Sequence, residues 1–266
     1  MSDGRALARA YLEQQRLLGG DPVVLTGTDG ADGRSAGQAV TAPEPSTASP
    51  PHRQTADLPA ADLPPAGISY DPPTGDLFTA DPISQAAALG GIAQLVAGCT
   101  KCRLCEARHH TVPGEGPDDA RLVVVGEGPG RVEDDTGRPF VGPAGELLTK
   151  ILAAIQLPRE RVFICNVVKC RPPENRPPQY DEIAACLPYL HRQIELLKPR
   201  VILAMGNTAA QTLLNAKQSL GAMRNHVHRF RGIPVIVTYH PAALLRNPNW
   251  KRPTWDDVRI ARRFLD

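Results

Sequence analysis

The sequence predicts a three-layer α/β/α domain built on a four-stranded parallel sheet. Three features lead there. Four short runs are continuously apolar and β-branched, the pattern of strands buried on both faces. Helical patterns fill the intervals between them. Regular strand–helix alternation closes with right-handed crossovers, which leave helices on both faces of the sheet. In such a fold, functional groups sit on loops at the carboxyl ends of the strands.

The four runs are Arg121–Gly126, Arg161–Val168, Arg200–Met205 and Pro234–Tyr239. Helices are expected over Ala144–Gln156, Tyr180–Leu197, Asn207–Asn215 and Thr254–Leu265, and a helix-compatible stretch, Ser84–Gly98, precedes the first cysteines. The folded unit is therefore expected over residues 83–266. Ahead of it, residues 1–20 hold one short helix over 2–18. Ser2 or Asp3 caps it, Leu7, Tyr11, Leu17 and Leu18 form a rough apolar stripe, and Gly19-Gly20 stops it. Residues 21–82 read as a flexible linker. Ten prolines between Gly30 and Pro82, with few large apolar residues, cannot repay the entropy of ordering. The stretch is a spacer rather than a site.

Of 266 residues, 42% are apolar, enough for a folded unit that needs no staple. No run approaches the roughly 18 apolar residues of a transmembrane helix. Met1-Ser2-Asp3-Gly4-Arg5 opens no secretory signal, so a soluble cytoplasmic protein is expected. Six cysteines stay reduced there, which favours metal or cluster ligation over disulfides. The net charge of +2 hides a split. Residues 1–83 carry five Arg, no Lys and eleven acidic residues (−6), and residues 84–266 carry 25 basic and 17 acidic side chains (+8). A positive folded unit suits a polyanionic partner, although an ordinary basic surface has the same charge.

The strand ends carry the chemistry. The first strand runs into Gly126-Glu127-Gly128-Pro129-Gly130 and on through Glu133 to Phe140-Val141-Gly142. Glycines admit a ligand close to the backbone, and a carboxylate at a strand end suits acid–base work. The loop has neither GxGxxG spacing nor a Walker lysine, which disfavours a nucleotide-binding loop. The second strand ends at Asn166, whose amide offers a donor and an acceptor to the edge of a pyrimidine; the same residue type also serves turns and caps. The fourth ends at His240, followed by Leu244, Leu245 and Arg246 in an expected loop. A lone histidine is more often structural. Apolar side chains beside a cation resemble a wedge that enters a base stack.

Cys99-Thr100-Lys101-Cys102 is one CxxC pair, and Cys170 and Cys186, with fifteen residues between them, form a second. Four thiolates hold zinc or an iron–sulfur cluster, and spacing does not separate the two. Cys105 extends the first motif to CxxCxxC and competes for a place. Cys165, within the second strand, is most simply a small core residue. With one pair before the first strand and one after the second, the metal is a structural clasp.

The combined pattern of CxxCRL, GEGPG followed by TGRPFVGPAGELL, NVVKCRPPENRPP and HPAALLRNP closely resembles the family 4 uracil-DNA glycosylases over about residues 90–266. That resemblance implies the uracil-DNA glycosylase fold, a [4Fe–4S] cluster on Cys99, Cys102, Cys170 and Cys186 with Cys105 as a non-ligand, and excision of uracil from DNA to start base excision repair. It implies that uracil is flipped into a pocket lined by Gly128 and Pro129. Phe140 would stack on the ring and Asn166 would read its polar edge. His240 would stabilise charge developing on O2, and Glu127 would position water. Glu133 would assist the water or crowd out the 5-methyl of thymine. Leu244, Leu245 and Arg246 would fill the gap left in the duplex.

Two other readings compete. A related branch of the superfamily holds uracil-DNA covalently through a histidine in a basic insert, but Arg171–Gln179 contains no histidine and no basic run. A DNA-binding scaffold with a metal clasp would make Glu127, Asn166 and His240 accidents at three separate strand ends. A monomer is expected, and the acidic N-terminal extension suits tethering of a replication or repair protein.

Overall fold

The computed structural model describes residues 63–72 and 81–266. The helix expected over 2–18 and most of the expected linker lie outside the described residues. The elements run β1 (Ala66–Tyr70), α1 (Pro82–Gln85), α2 (Leu89–Ala97), β2 (Leu122–Gly126), α3 (Arg131–Thr136), α4 (Pro143–Ala154), β3 (Phe163–Asn166), α5 (Tyr180–Leu197), β4 (Val201–Met205), α6 (Asn207–Leu214), α7 (Leu220–Met223), β5 (Val227–Phe230), β6 (Ile233–Thr238), α8 (Pro241–Arg246) and α9 (Lys251–Arg263).

The four expected strands form the parallel core. β2 pairs with β3 and β4, and β4 with β6, all parallel. Alternate residues of each strand feed opposite faces. Val123, Val125, Ile202 and Ala204 pack under α2, α5 and α6, whereas Leu122, Val124, Val201 and Leu203 pack under α4, α8 and α9. This is the three-layer arrangement that continuous apolarity demands.

The sheet is nevertheless wider than four strands. Its order is β1-β5-β6-β4-β2-β3. β5 folds back antiparallel on β6 through Arg231 and Gly232, which have φ of 50° and 75°, the two positive values a tight I′-type hairpin turn needs. Val-His-Arg-Phe has too few apolar residues to read as a strand; its alternating burial suits a ribbon near the edge. β1 lies within the stretch expected to be a linker. Ala66–Tyr70 adds to β5 in parallel, and its Ile68 N–H donates to Nδ1 of buried His228 at 2.9 Å. Flanking prolines obscured this strand, which exists through pairing rather than through a pattern of its own.

Other departures are local. Ser84–Gly98, expected as one stretch, is two helices separated where Ala86 turns extended (ψ 118°). The expected loop after His240 is a helix, α8, whose first turn begins with Pro241. α5 starts where expected and is fixed by a capping box: Glu182 accepts from the Gln179 N–H at 2.7 Å.

Candidate active site

From β2 the chain moves to β3 on one side and later to β4 on the other, so the order reverses at β2. The crevice of a doubly flanked sheet opens at the carboxyl ends beside such a switch. A cavity of about 700 Å³ lies there. It is lined by Glu127, Gly128, Pro129, Glu133, Phe140, Asn166, His240 and Arg246, together with the third strand end, Met205-Gly206-Asn207. The structure thus brings together every expected catalytic and base-contacting residue.

Asn166 closes β3 at 1% exposure, and its Oδ1 has no hydrogen-bond partner among the described residues. An acceptor in that state has been desolvated without compensation, so a donor from a ligand is worth more there than in water. Gly126, its neighbour across the β2–β3 ladder, lets the site close. A Cβ on Gly126 would come within 2.4 Å of Asn166 Oδ1 and 2.5 Å of Phe140 Cζ. Phe140 itself has φ of 51°, a left-handed conformation costing of order 1 kcal/mol for a bulky residue. Its surroundings over-determine it. Arg159 donates to Phe140 O at 3.0 Å and to Pro139 O at 2.5 Å. Glu133 Oε1 accepts the next two N–H groups, those of Val141 (3.0 Å) and Gly142 (2.9 Å).

That last pair changes the reading of Glu133. One of its oxygens is committed to the backbone that leads into α4, where a carboxylate also complements the helix N-terminus. Glu127 is differently placed: its Oε2 accepts from the Thr208 hydroxyl at 2.5 Å. Thr208 was not among the expected site residues. The available signal was the rule for strand ends, since Gly206-Asn207-Thr208 follows β4 directly.

His240 lies 5.4 Å from Phe140 between ring centroids. Burial, then the positive Arg246, pushes its pKa down to about 4, so the imidazole is neutral at pH 7. Its Nδ1 accepts the Ala242 N–H at 3.2 Å, which assigns the ring proton to Nε2. A neutral donor results. Beside it, Arg224 stacks 4.5 Å from the Tyr239 ring centre, and Tyr239 stacks on Trp250 at 4.7 Å. The expected wedge divides: Leu244 is 1% exposed in the core, whereas Leu245 is 51% exposed. A buried leucine cannot enter a base stack, so the pair does not act as expected, because the helix α8 turns its two leucines to opposite sides.

On the far side of β3 a second hollow is lined by Cys99, Cys102, Cys105, Cys170 and Cys186. Two arms of chain meet there, joined by buried Glu182, which accepts from Arg103 at 3.1 Å and Arg176 at 2.6 Å. The Arg176 hydrogen bond, the largest cause, holds the Glu182 pKa down to about 2. Tetrahedral zinc would need sulfurs about 3.8 Å apart, from Zn–S bonds of about 2.3 Å. Among the described residues no three cysteine sulfurs lie within 4.8 Å of one another. The cysteines around this hollow are a donor set for a metal centre. Donors to sulfur are in place: Arg108 Nη1 to Cys170 Sγ and the Lys169 N–H to Cys186 Sγ, both at 3.2 Å. Cys165 is fully buried in β3, as expected of a core residue.

An α/β sheet that gathers an amide, a carboxylate and an imidazole around an aromatic ring at its switch point defines an enzyme site for a flat, polar heterocycle. The profile of the Uracil DNA glycosylase superfamily matches residues 113–259, and the chain belongs to that family. It is 47% identical over 186 residues to a "Type-4 uracil-DNA glycosylase" of Pyrobaculum aerophilum, covering 65% of this chain and 95% of that protein. A protein of the same description from Thermotoga maritima is 47% identical over 178 residues, covering 65% and 93%. A "Type-5 uracil-DNA glycosylase" of Pyrobaculum aerophilum is 32% identical over 150 residues, covering 50% and 66%. No helix among the described residues is long and apolar enough to cross a membrane.

Proposed function

We propose that the protein is a uracil-DNA glycosylase that flips uracil out of DNA and hydrolyses its N-glycosidic bond, leaving an abasic site. The observation that carries this reading is Asn166, which lines the cavity and whose buried Oδ1 has no hydrogen-bond partner among the described residues. Uracil presents N3–H as a donor beside O4 as an acceptor, which complements an amide's oxygen and NH₂ together. Cytosine presents the reverse order and would leave buried groups unpaired, a penalty that discriminates strongly.

Phe140 stacks on the extruded ring. As the C1′–N1 bond breaks, its electron pair passes into the uracil ring and negative charge grows on O2, where the neutral His240 Nε2–H donates. A preorganised donor in a dry site lowers the barrier because it needs no reorientation. The sugar becomes cationic. Glu127, steadied by Thr208, favours that charge and takes a proton from the water that attacks C1′. Glu133 holds the loop that presents Phe140.

Cys99, Cys102, Cys170 and Cys186 would hold a [4Fe–4S] cluster, with Cys105 outside the ligand set. Bound there, the cluster supplies a covalent clasp between the segment before β2 and the segment after β3. The excess positive charge of residues 84–266 supports binding to DNA, and the acidic extension is left for tethering of a repair or replication partner.

The test is excision from a uracil-containing oligonucleotide, read as strand breakage after alkaline cleavage of abasic sites. Uracil release by the wild-type chain, slowed by orders of magnitude in Asn166→Ala, is expected. Intact strands with the wild-type protein overturn the reading.

A further inference from the structure

The cavity holds more than the groups assigned above to uracil. Its wall continues past His240 to Tyr239, Arg246 and Trp250. The Tyr239 and Trp250 rings stack almost parallel, with 6° between their planes and 4.7 Å between their centroids. The Arg224 guanidinium lies 4.5 Å from the Tyr239 ring centre. Each layer of this stack is fastened. Arg224 donates to the buried Asp257 carboxylate at 2.8 and 3.0 Å and to Pro253 O at 3.1 Å. Trp250 ends a short turn in which the Asn249 N–H donates to Asn247 Oδ1 at 3.2 Å, and its own carbonyl accepts the Thr254 hydroxyl at 2.8 Å. A planar ligand stacking on an indole so held costs little further side-chain entropy.

Trp250 nevertheless keeps 36% of its surface exposed, beside a cavity of about 700 Å³ that one pyrimidine does not fill. A uracil in a DNA strand arrives with neighbours attached through phosphates. Arg246, exposed on the chain between His240 and Trp250, supplies positive charge for a connecting phosphate. Stacking on an aromatic side chain accepts any neighbour, because every base has a π-face.

We propose that Trp250 is a second nucleobase subsite: its indole stacks on a base adjacent to the uracil in the same strand and so holds the strand across the cavity. This rests on the uracil-excising reading above and adds to it a contact with an undamaged neighbour.

The experiment measures kcat and KM for excision from a single-stranded oligonucleotide carrying one uracil. Two further substrates replace the base on its 5′ or its 3′ side with a base-free tetrahydrofuran spacer. For the wild-type chain, one of the two spacers is expected to raise KM about tenfold with kcat retained. Trp250→Ala is expected to raise KM by a similar factor on the ordinary oligonucleotide and to lose nothing further on that spacer substrate. Trp250→Phe keeps a ring and is expected to recover most of the loss. A Trp250 that merely supports Tyr239 and His240 would instead lower kcat and penalise all three substrates equally, and that result overturns the subsite. So does a wild-type KM that is the same on all three, a readout that stands even should Trp250→Ala fail to fold. Failure of the wild-type chain to release uracil from any of them overturns the functional reading instead.

Discussion

The Thr208 hydroxyl donates to Glu127 Oε2 at 2.5 Å, tying the first residue beyond β2 to the first turn of α6. Two adjacent parallel strands thereby fix one carboxylate at the switch point. A hydrogen bond to a charged group contributes about 1.5–3 kcal/mol. Thr208→Val is expected to lower the rate of uracil excision about tenfold with little change in KM, since the water rather than the base loses its support. Thr208→Ser is expected to recover most of it. Single-turnover kinetics on single-stranded uracil DNA check both.

On the proposed function, Asn166→Ala removes the amide that reads the base and leaves the strand intact. Excision is expected to fall by about two to three orders of magnitude, the loss of about 3–4 kcal/mol of transition-state stabilisation. Circular dichroism should be unchanged. A near-normal rate would move the pocket elsewhere.

Glu133 separates a structural from a chemical carboxylate. Glu133→Ala frees two N–H groups and releases the loop that holds Phe140 left-handed, so a loss of about 1–3 kcal/mol of stability is expected together with activity. Glu133→Gln keeps an acceptor oxygen. It is expected to retain most of both, as measured by urea melts and excision rates. A Gln variant that is stable but inactive would assign Glu133 to the chemistry.

The two leucines of α8 should part company. Leu244→Ala leaves a cavity under α4 and is expected to cost about 2–5 kcal/mol of stability, affecting all substrates alike. Leu245→Ala, on the exposed side, is expected to leave stability unchanged and to slow excision from duplex DNA more than from single strands. Equal losses on the two substrates would remove Leu245 from any wedge.

Acid should loosen the fold through its buried histidines. Burial, with Arg231 adding to it, pushes His191 down to about 4, and His240 is held at a similar value. Unfolded, both titrate near 6.5, so the unfolded chain binds the extra protons. Their contribution is therefore complete above pH 6.5 and is lost progressively as pH falls to about 4. His191 Nε2 has no hydrogen-bond partner among the described residues, and the ring packs 5.2 Å from Phe230. His191→Phe is thus expected to raise the melting temperature at pH 5 by more than at pH 7.5. An equal shift at both values would count against the titration.

Much of this was legible in the chain because burial writes itself into composition. Val123, Ile164, Leu203 and Ile236 belong to runs with no polar face, and only a strand covered by helices on both sides tolerates that. The glycine-rich turn, Asn166 and His240 were legible for a different reason: each stands at the end of a strand, and strand ends of a parallel sheet converge. β1 and β5 were illegible, since a strand near an edge owes its existence to a partner's backbone rather than to its own pattern. The break at Ala86 and the helix after His240 escaped for the same reason, being settled by local hydrogen bonding and packing.

By itself, then, the sequence determined the four central strands, the two cysteine pairs and the identity of the polar groups that line the cavity, because those depend on residue type and order along the chain. Only the tertiary structure decided what each group is free to do. It spends a Glu133 oxygen on two backbone N–H groups, hides Leu244 while exposing Leu245, and hands Glu127 to Thr208. Those assignments turn on which atoms lie within about 3 Å of one another, and residues distant in sequence acquire such distances only when the sheet closes.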